Sequence, residues 1–157
     1  MEERDQFFKI IKSGYEETVE AHLQRNPDLV NIKDSRGFTP LIFASYFDKN
    51  NIAKLLLEYQ ADVDGTDASG NTALAGVAFK GNKALALELI KCNANVDIQN
   101  ANGMTALIFA SLYNQKEIVK LLLEHKADKT IKDNNGKTAL DYALEKKYAD
   151  IEKLLNS

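Results

Sequence analysis

One short motif recurs in this sequence at a fixed interval of 33 residues. Each copy has Asp or Asn, then Gly three residues later, then Thr two residues after the Gly, and the four glycines are Gly37, Gly70, Gly103 and Gly136. A unit of this length is longer than one helix and shorter than one domain, so it cannot bury its apolar face alone. The chain is therefore expected to be an array of stacked units.

The motif predicts a tight turn followed by the start of a helix. In the first copy Asp34 favours a turn, and Gly37 supplies the positive φ that the turn requires. Thr39 then caps a helix by accepting a hydrogen bond from one of its first free amide groups. The first helices of the units are expected to end near Asp48, Gly81 and Asn114.

A second helix follows in each unit, because apolar residues recur there at the i, i+3, i+4 spacing of a buried helical stripe. These residues are Ile52, Leu55 and Leu56 in one unit and Ile118, Leu121 and Leu122 in another. The segment from Phe7 to Asn31 lacks the turn motif but also has the pattern of a helix pair.

The repeated residues resemble the ankyrin repeat along nearly the whole chain. The motifs that carry the resemblance are Thr39-Pro40-Leu41 with Ala44, Leu55-Leu56-Leu57, Ala61-Asp62-Val63-Asp64, Ala94-Asn95-Val96-Asp97 and Leu121-Leu122-Leu123. The resemblance implies an all-α ankyrin-repeat solenoid of five stacked helix-turn-helix repeats with short β-hairpin turns. It would form one domain over residues 1–157, with an N-cap, three full repeats and a C-cap at about 1–33, 34–66, 67–99, 100–132 and 133–157.

Charge and composition argue against several classes of partner. The net charge of −3 gives no basic footprint for nucleic acid or for an anionic membrane. No apolar run reaches the length of a membrane span, and the first 20 residues do not have the pattern of a signal peptide, so a cytoplasmic protein is expected. A single cysteine, Cys92, excludes an internal disulfide.

No motif for catalysis or for metal binding is complete. Gly136-Lys137-Thr138 matches the end of a phosphate-binding loop, but Ile131 stands where the loop requires its first glycine. The aspartates from Asp62 to Asp67 lack the closing glutamate of a calcium loop, since Ala73 occupies that position. The sequence therefore predicts a protein that is not an enzyme and has neither a metal nor a required cofactor.

A row of aromatic and apolar residues predicts a surface that binds a protein partner. In the ankyrin architecture, positions nine and ten residues after each glycine line the concave face, together with turn positions and the ends of the second helices. The alternative is that these side chains belong to the core, although a soluble monomer rarely exposes a contiguous apolar patch without a use. The predicted partner-binding residues are Phe38, Tyr46, Phe47, Tyr59, Phe79, Lys80, Met104, Leu112 and Tyr113.

Three of the second-helix ends carry residue types that ligate iron, namely Tyr59, Cys92 and His125. At about 10 Å per repeat they are too far apart for a single metal ion, but a flat ligand such as haem would reach one of them. Arg36 or Lys80 would then lie near the haem carboxylates. A haem-handling protein is thus an alternative function, and ordinary surface residues are the alternative reading of the three side chains.

The repeat after Gly70 departs from the pattern of its neighbours. Glu88 stands where Leu55 and Leu121 face the core, and a lone buried carboxylate is costly. A local rotation of the helix pair that exposes Glu88 and buries Leu87 would remove this cost. Gly76 also replaces an aromatic residue that the neighbouring repeats have. Functional sites often depart from the sequence pattern that stability alone would favour, so this repeat is a candidate for a functional role.

The segment from Gly76 to Asn82 is similar to the corresponding repeat of short stand-alone bacterial ankyrin proteins. Some of those proteins are associated with catalase and support its activity. The similarity covers about one repeat, and it implies catalase as one partner of the alternative, haem-related function.

Overall fold

The computed structural model of the protein describes residues 2–157 and divides into two compact units. The first unit ends at Ala73, and the second is Leu74–Ser157. Within residues 2–157 the regular structure consists of ten α-helices and one 3₁₀ helix, as the all-α prediction required. The helices are α1 Glu2–Ser13, α2 Glu16–Arg25, the 3₁₀ helix Pro27–Asn31, α3 Pro40–Tyr46, α4 Asn50–Glu58, α5 Ala73–Lys80, α6 Lys83–Lys91, α7 Ala106–Leu112, α8 Lys116–Glu124, α9 Ala139–Lys146 and α10 Ala149–Asn156.

Each unit is built from antiparallel helix pairs that pack on the next pair. In the first unit α1 packs on α3 and α2 packs on α4, and in the second unit α7 packs on α9 while α8 contacts both α6 and α10. The predicted apolar stripes form the cores, since Ile52, Leu56, Ile118 and Leu122 are almost completely buried. None of the helices in residues 2–157 is long and apolar enough to cross a membrane.

Threonine side chains cap the N-termini of the first helices of the repeats, as the sequence predicts. The Thr39 Oγ1 atom accepts a hydrogen bond from the Ile42 amide at 3.2 Å. Thr105 makes the same contact with the Ile108 amide, also at 3.2 Å. Each bond satisfies one of the amide groups that the first turn of a helix leaves without an intrahelical partner.

The aspartate of the turn motif organises its loop by accepting two hydrogen bonds through one oxygen. The Asp34 Oδ1 atom accepts from the amides of Arg36 and Phe38, both at 2.9 Å. Asn100 makes the equivalent pair of bonds in a later repeat, because an amide oxygen is as suitable an acceptor here as a carboxylate. The predicted β-hairpins are reduced, within the described residues, to one isolated antiparallel bridge between Thr66 and Thr72.

Neighbouring turns within a unit are joined by hydrogen bonds. The Asn134 amide donates to the Asn102 carbonyl at 3.0 Å, and the Asn134 side chain donates to the Ala101 carbonyl at 2.9 Å. In the first unit the Ala68 amide donates to the Arg36 carbonyl at 3.4 Å. The turns therefore fix the register of one repeat against the next.

The buried carboxylate of Asp133 predicts that acid weakens the fold. Its oxygens accept hydrogen bonds from the amides of Asn135 and Lys137 and from the Tyr142 hydroxyl. Burial raises the pKa of Asp133, but these bonds together outweigh it and hold the pKa below its ordinary value. A depressed folded-state pKa gives stability that is present above the unfolded pKa of about 3.9 and is lost as pH falls through the folded value.

We expect Asp133→Asn to reduce this pH dependence. Asparagine keeps the acceptor for the two amides, as Asn100 shows, but has no proton to gain in acid. At neutral pH the variant should be less stable by about 1 kcal/mol, because one charged hydrogen bond to Tyr142 is weakened. Urea unfolding at about pH 7 and about pH 3 would measure this. An equal loss of stability in acid for wild type and variant would contradict the assignment.

Candidate functional site

The first unit carries a cluster of aromatic side chains at the end of α3. We call Phe38, Phe43, Tyr46 and Phe47 the first aromatic cluster. The Tyr46 ring lies 5.9 Å from the Phe38 ring and 5.1 Å from the Phe47 ring, and Phe43 and Phe47 are 4.8 Å apart. Phe43 is buried, Phe38 and Phe47 are half-buried, and Tyr46 is 55% exposed. The cluster therefore extends from the core to the surface, and Tyr46 is its most exposed member.

Two cations lie against the faces of these rings. The Arg36 guanidinium is 4.4 Å from the centre of the Phe38 ring, and the Lys12 ammonium is 4.9 Å from that of Phe47. Two nitrogens of Arg36 also donate to the Asp34 Oδ2 atom, at 2.9 and 3.2 Å, which fixes the guanidinium in place. Burial raises the pKa of Asp34, but the hydrogen bonds from Phe38 and Arg36 outweigh it and lower the pKa. Asp34 balances the charge of Arg36, so Lys12 is the source of net positive charge beside these rings.

The second unit carries a smaller cluster, formed by Phe79 at the end of α5 and Tyr113 after α7. Their ring centres are 4.4 Å apart with the planes inclined at 67°, an edge-to-face arrangement. Each residue is 46% exposed. The Gln115 side chain donates to the Phe79 carbonyl at 3.1 Å and ties the end of α5 to the start of α8. We call Phe79 and Tyr113 the second aromatic cluster.

The rings are exposed because the first helices are short and their earlier positions are occupied by the core. In α3 every residue from Pro40 to Ser45 is buried, and Tyr46 is the next residue. In α7 burial ends with Ser111, so that Leu112 is half-buried and Tyr113 caps the helix outside the core. The predicted positions at the ends of the first helices therefore lie at the surface. Among the other predicted partner-binding residues, Lys80 is exposed, while Met104 and Tyr59 are half-buried.

The repeated helix pairs and turns match models of a known protein family. A family model described as ankyrin repeats (3 copies) matches residues 75–157, more than half of the 157-residue chain. The chain belongs to the ankyrin-repeat family. A second model, ankyrin repeats (many copies), matches residues 23–76 of this ankyrin-repeat protein. Ankyrin repeats indicate a module for protein–protein interaction.

A human relative shares part of the ankyrin-repeat region. The DNA-binding protein RFXANK from Homo sapiens is 41% identical over 54 residues, which is 34% of this chain. The match spans about a fifth of RFXANK, 21% of its length. The relative therefore supports the family assignment, while the activity in its name belongs to the whole of that protein.

The three residues predicted as haem ligands have different surroundings in this ankyrin-repeat protein. The Tyr59 hydroxyl, in the first unit, donates to the Glu20 carboxylate at 3.2 Å. In the second unit the His125 Nδ1 atom lies 2.9 Å from the Leu121 carbonyl, and Cys92 is exposed. In the described part of the chain, His, Cys, Asp and Glu side chains form no group of three that could hold a metal ion. Haem ligation stays a prediction.

Glu88 is accommodated without the expected rotation of its helix. The buried residues of α6 are Leu85, Ala86 and Leu89, at the same repeat positions as the buried Ile118, Val119 and Leu122 of α8. Glu88 instead keeps its side chain 32% exposed and forms an ion pair with Lys91 at 3.7 Å. The helix retains its register because a long carboxylate side chain at the edge of the stripe reaches water.

Sequence reasoning missed the residues that support the aromatic rings from outside their own helices. Lys12 belongs to α1, and Gln115 precedes α8. Phe8 of α1 packs on Phe43 with ring centres 5.1 Å apart. The repeat period gives no signal for Lys12 or Phe8, because α1 precedes the first copy of the turn motif.

Proposed function

We propose that this ankyrin-repeat protein is a non-catalytic module that binds a protein partner through its first and second aromatic clusters. The observation that carries the proposal is that about half of the surface of each of Tyr46, Phe79 and Tyr113 is exposed to solvent. The other predicted residues would surround the anchor of their own unit, among them Phe38 and Phe47 in the first unit and Lys80, Met104 and Leu112 in the second.

Ring packing prepares the clusters for binding. Tyr46 contacts two neighbouring rings and Phe79 contacts Tyr113, so that binding would cost these side chains little conformational entropy. Large rigid aromatic residues of this kind carry most of the binding energy in many protein interfaces. The Lys12 ammonium at Phe47 would form part of a polar rim that favours negative charge in the partner.

The charge of this chain does not favour DNA binding. Its net charge is −3, and the Arg36 guanidinium at the first aromatic cluster is paired with the Asp34 carboxylate. Binding to the phosphate backbone requires several lysine and arginine side chains gathered on one face.

The haem-related alternative, with catalase as its partner, has a simple test. Titration of the protein with hemin should produce a shifted Soret band if Tyr59, Cys92 or His125 ligates the iron. The hydrogen bond between Tyr59 and Glu20 argues against the tyrosine as that ligand. No shift, or a shift that survives replacement of all three residues, would remove this alternative.

Partner capture tests the proposed function. Wild-type protein, the variant Tyr46→Ala with Tyr113→Ala, and the control Tyr15→Ala would be used as baits in an extract from the native source. Tyr15 is 70% exposed and lies at the start of α2, outside both clusters. We expect one partner to be retained by wild type and control and lost, at least about tenfold, by the double variant. If the double variant captures the same proteins equally well, the proposed function fails.

A further inference from the structure

We propose that a notch beside Gly76 receives one large apolar side chain from an acidic segment of the protein partner. The notch is defined by Gly76 and Phe79 of α5 with Phe109 and Tyr113 of the next repeat. This inference rests on the proposed function and specifies the chemistry of the partner.

Open space at Gly76 is the first observation. A Cβ atom built on Gly76 would meet nothing within 4 Å, and the residue is exposed although it lies in the middle of α5. The same repeat position in α7 and α9 holds Phe109 and Tyr142. One ring is therefore missing from the row, and the space within 4 Å of its Cβ position is open.

A glycine inside a helix calls for an explanation, because it destabilises the helix relative to alanine. Gly76 has no positive φ and no close neighbour, so neither backbone conformation nor packing requires it. The glycine leaves the space beside it accessible to a group of another molecule, and a side chain at this position would block that access.

Apolar walls border the notch. Phe79 follows Gly76 by one helical turn on the same side of α5, and its ring packs on Tyr113. Phe109 precedes Tyr113 by one turn of α7, and it is half-buried although its neighbours Ile108 and Ala110 are fully buried. An aromatic or leucine side chain in the notch would cover Phe109 as a ring at position 76 would.

The surrounding charge favours an acidic occupant. Lys146 is the last residue of α9, which packs on α7, and Lys147 is its C-cap residue; both are exposed. In the second helices lysines pair with acids of the next repeat, as Lys116 does with Asp150 at 3.1 Å. Within residues 2–157 Lys146 and Lys147 form no such ion pair. Because the whole chain has a net charge of −3, this positive group is a local feature that an acidic segment would complement.

The distance between the notch and the two lysines determines how far apart the apolar anchor and the acidic residues of the partner should be. From α5 to α9 there are two helix layers, which at 8–10 Å each amount to about 20 Å. An extended peptide covers that distance in about six residues. The partner segment should therefore carry its acids about six residues from its apolar anchor.

A symmetric probe peptide of defined sequence tests the notch directly. It would have about 15 residues, with a central phenylalanine, serine–glycine spacers and two glutamates at each end, so that either chain direction fits. Amide NMR should show saturable shifts around Gly76, Phe79 and Tyr113. A peptide with central alanine, and one with lysines in place of the glutamates, should each bind at least about tenfold more weakly.

Variants of the protein locate the binding. Gly76→Phe fills the space and should weaken the peptide at least about tenfold, whereas Gly76→Ala should bind as wild type does and shows that the helix tolerates a side chain. Lys146→Glu with Lys147→Glu should weaken peptide binding and reverse its salt dependence, because salt then screens a repulsion instead of an attraction. Absence of saturable shifts, equal binding by the alanine peptide, or full binding by Gly76→Phe would overturn the proposal.

The two proposals fail in different ways. If the captured partner is lost by Tyr46→Ala with Tyr113→Ala but retained by Gly76→Phe, the notch is wrong and the proposed function stands. If the double tyrosine variant retains the partner, the proposed function itself is wrong.

Discussion

Replacement of Gly103 by alanine is expected to lower the free energy of unfolding by at least about 3 kcal/mol. Gly103 has a φ of 75°, which costs a residue with a side chain about 1–2 kcal/mol. The added Cβ atom would also lie 2.6 Å from the Asn134 Oδ1 atom and 2.9 Å from the Asn134 amide nitrogen. Because one of these is backbone, the next turn would have to move, and the hydrogen bonds from Asn134 to Ala101 and Asn102 would weaken.

Gly136 is the matched control for this effect. It has the same φ of 75° in the same motif, but a Cβ atom there would meet nothing within 4 Å. Gly136→Ala should therefore show the conformational cost alone, about 1–2 kcal/mol. Urea unfolding followed by circular dichroism would measure both variants. Equal losses for the two would show that a Cβ atom at Gly103 does not displace the next turn, contrary to this account.

Leu122→Ala is the second large effect, with an expected loss of about 3–5 kcal/mol. Leu122 is completely buried in α8, which contacts both α6 and α10, so truncation would leave a cavity between stacked helices. Urea unfolding would measure the change.

Leu123→Ala is the control that distinguishes the effect of burial from the effect of replacing a leucine in this helix. Leu123→Ala changes the same residue type in the same helix, but Leu123 is only half-buried, so its loss should be about 1 kcal/mol. If Leu123→Ala costs as much as Leu122→Ala, the register assigned to α8 is wrong.

The repeated elements of the fold were predictable because their causes are local. The Asp34 loop needs only its own amides and a glycine at Gly37, and the Thr39 cap needs only the amide three residues later. The stripe of Ile52 and Leu56 is set by helical periodicity within one segment. Each of these features could therefore be placed from a few consecutive residues and then extended by the period.

Features that depend on neighbouring segments were not predictable in the same way. The sequence shows that Glu88 breaks the stripe, but only the structure shows that α6 keeps its register and that Lys91 pairs with the carboxylate. The hydrogen bond from Tyr59 to Glu20 joins residues 39 positions apart, from α2 to the end of α4. Nothing in the sequence near Tyr59 indicates it.

The candidate site combines both kinds of feature. The period placed Tyr46, Phe79 and Tyr113 at the ends of first helices, and these positions are exposed because the preceding residues fill the core. How the rings pack, and that Lys12 lies over Phe47, depends on side-chain conformation and on α1. The period could not supply that information.

Hydrogen exchange of the captured complex tests the central claim most directly. Amides that the partner covers exchange more slowly than in the free protein. We predict slower exchange in residues 36–48 of the first unit and in residues 76–81 and 104–115 of the second, which contain the aromatic clusters. Protection confined to the second helices α4, α6, α8 and α10, with no change in those segments, would contradict the account.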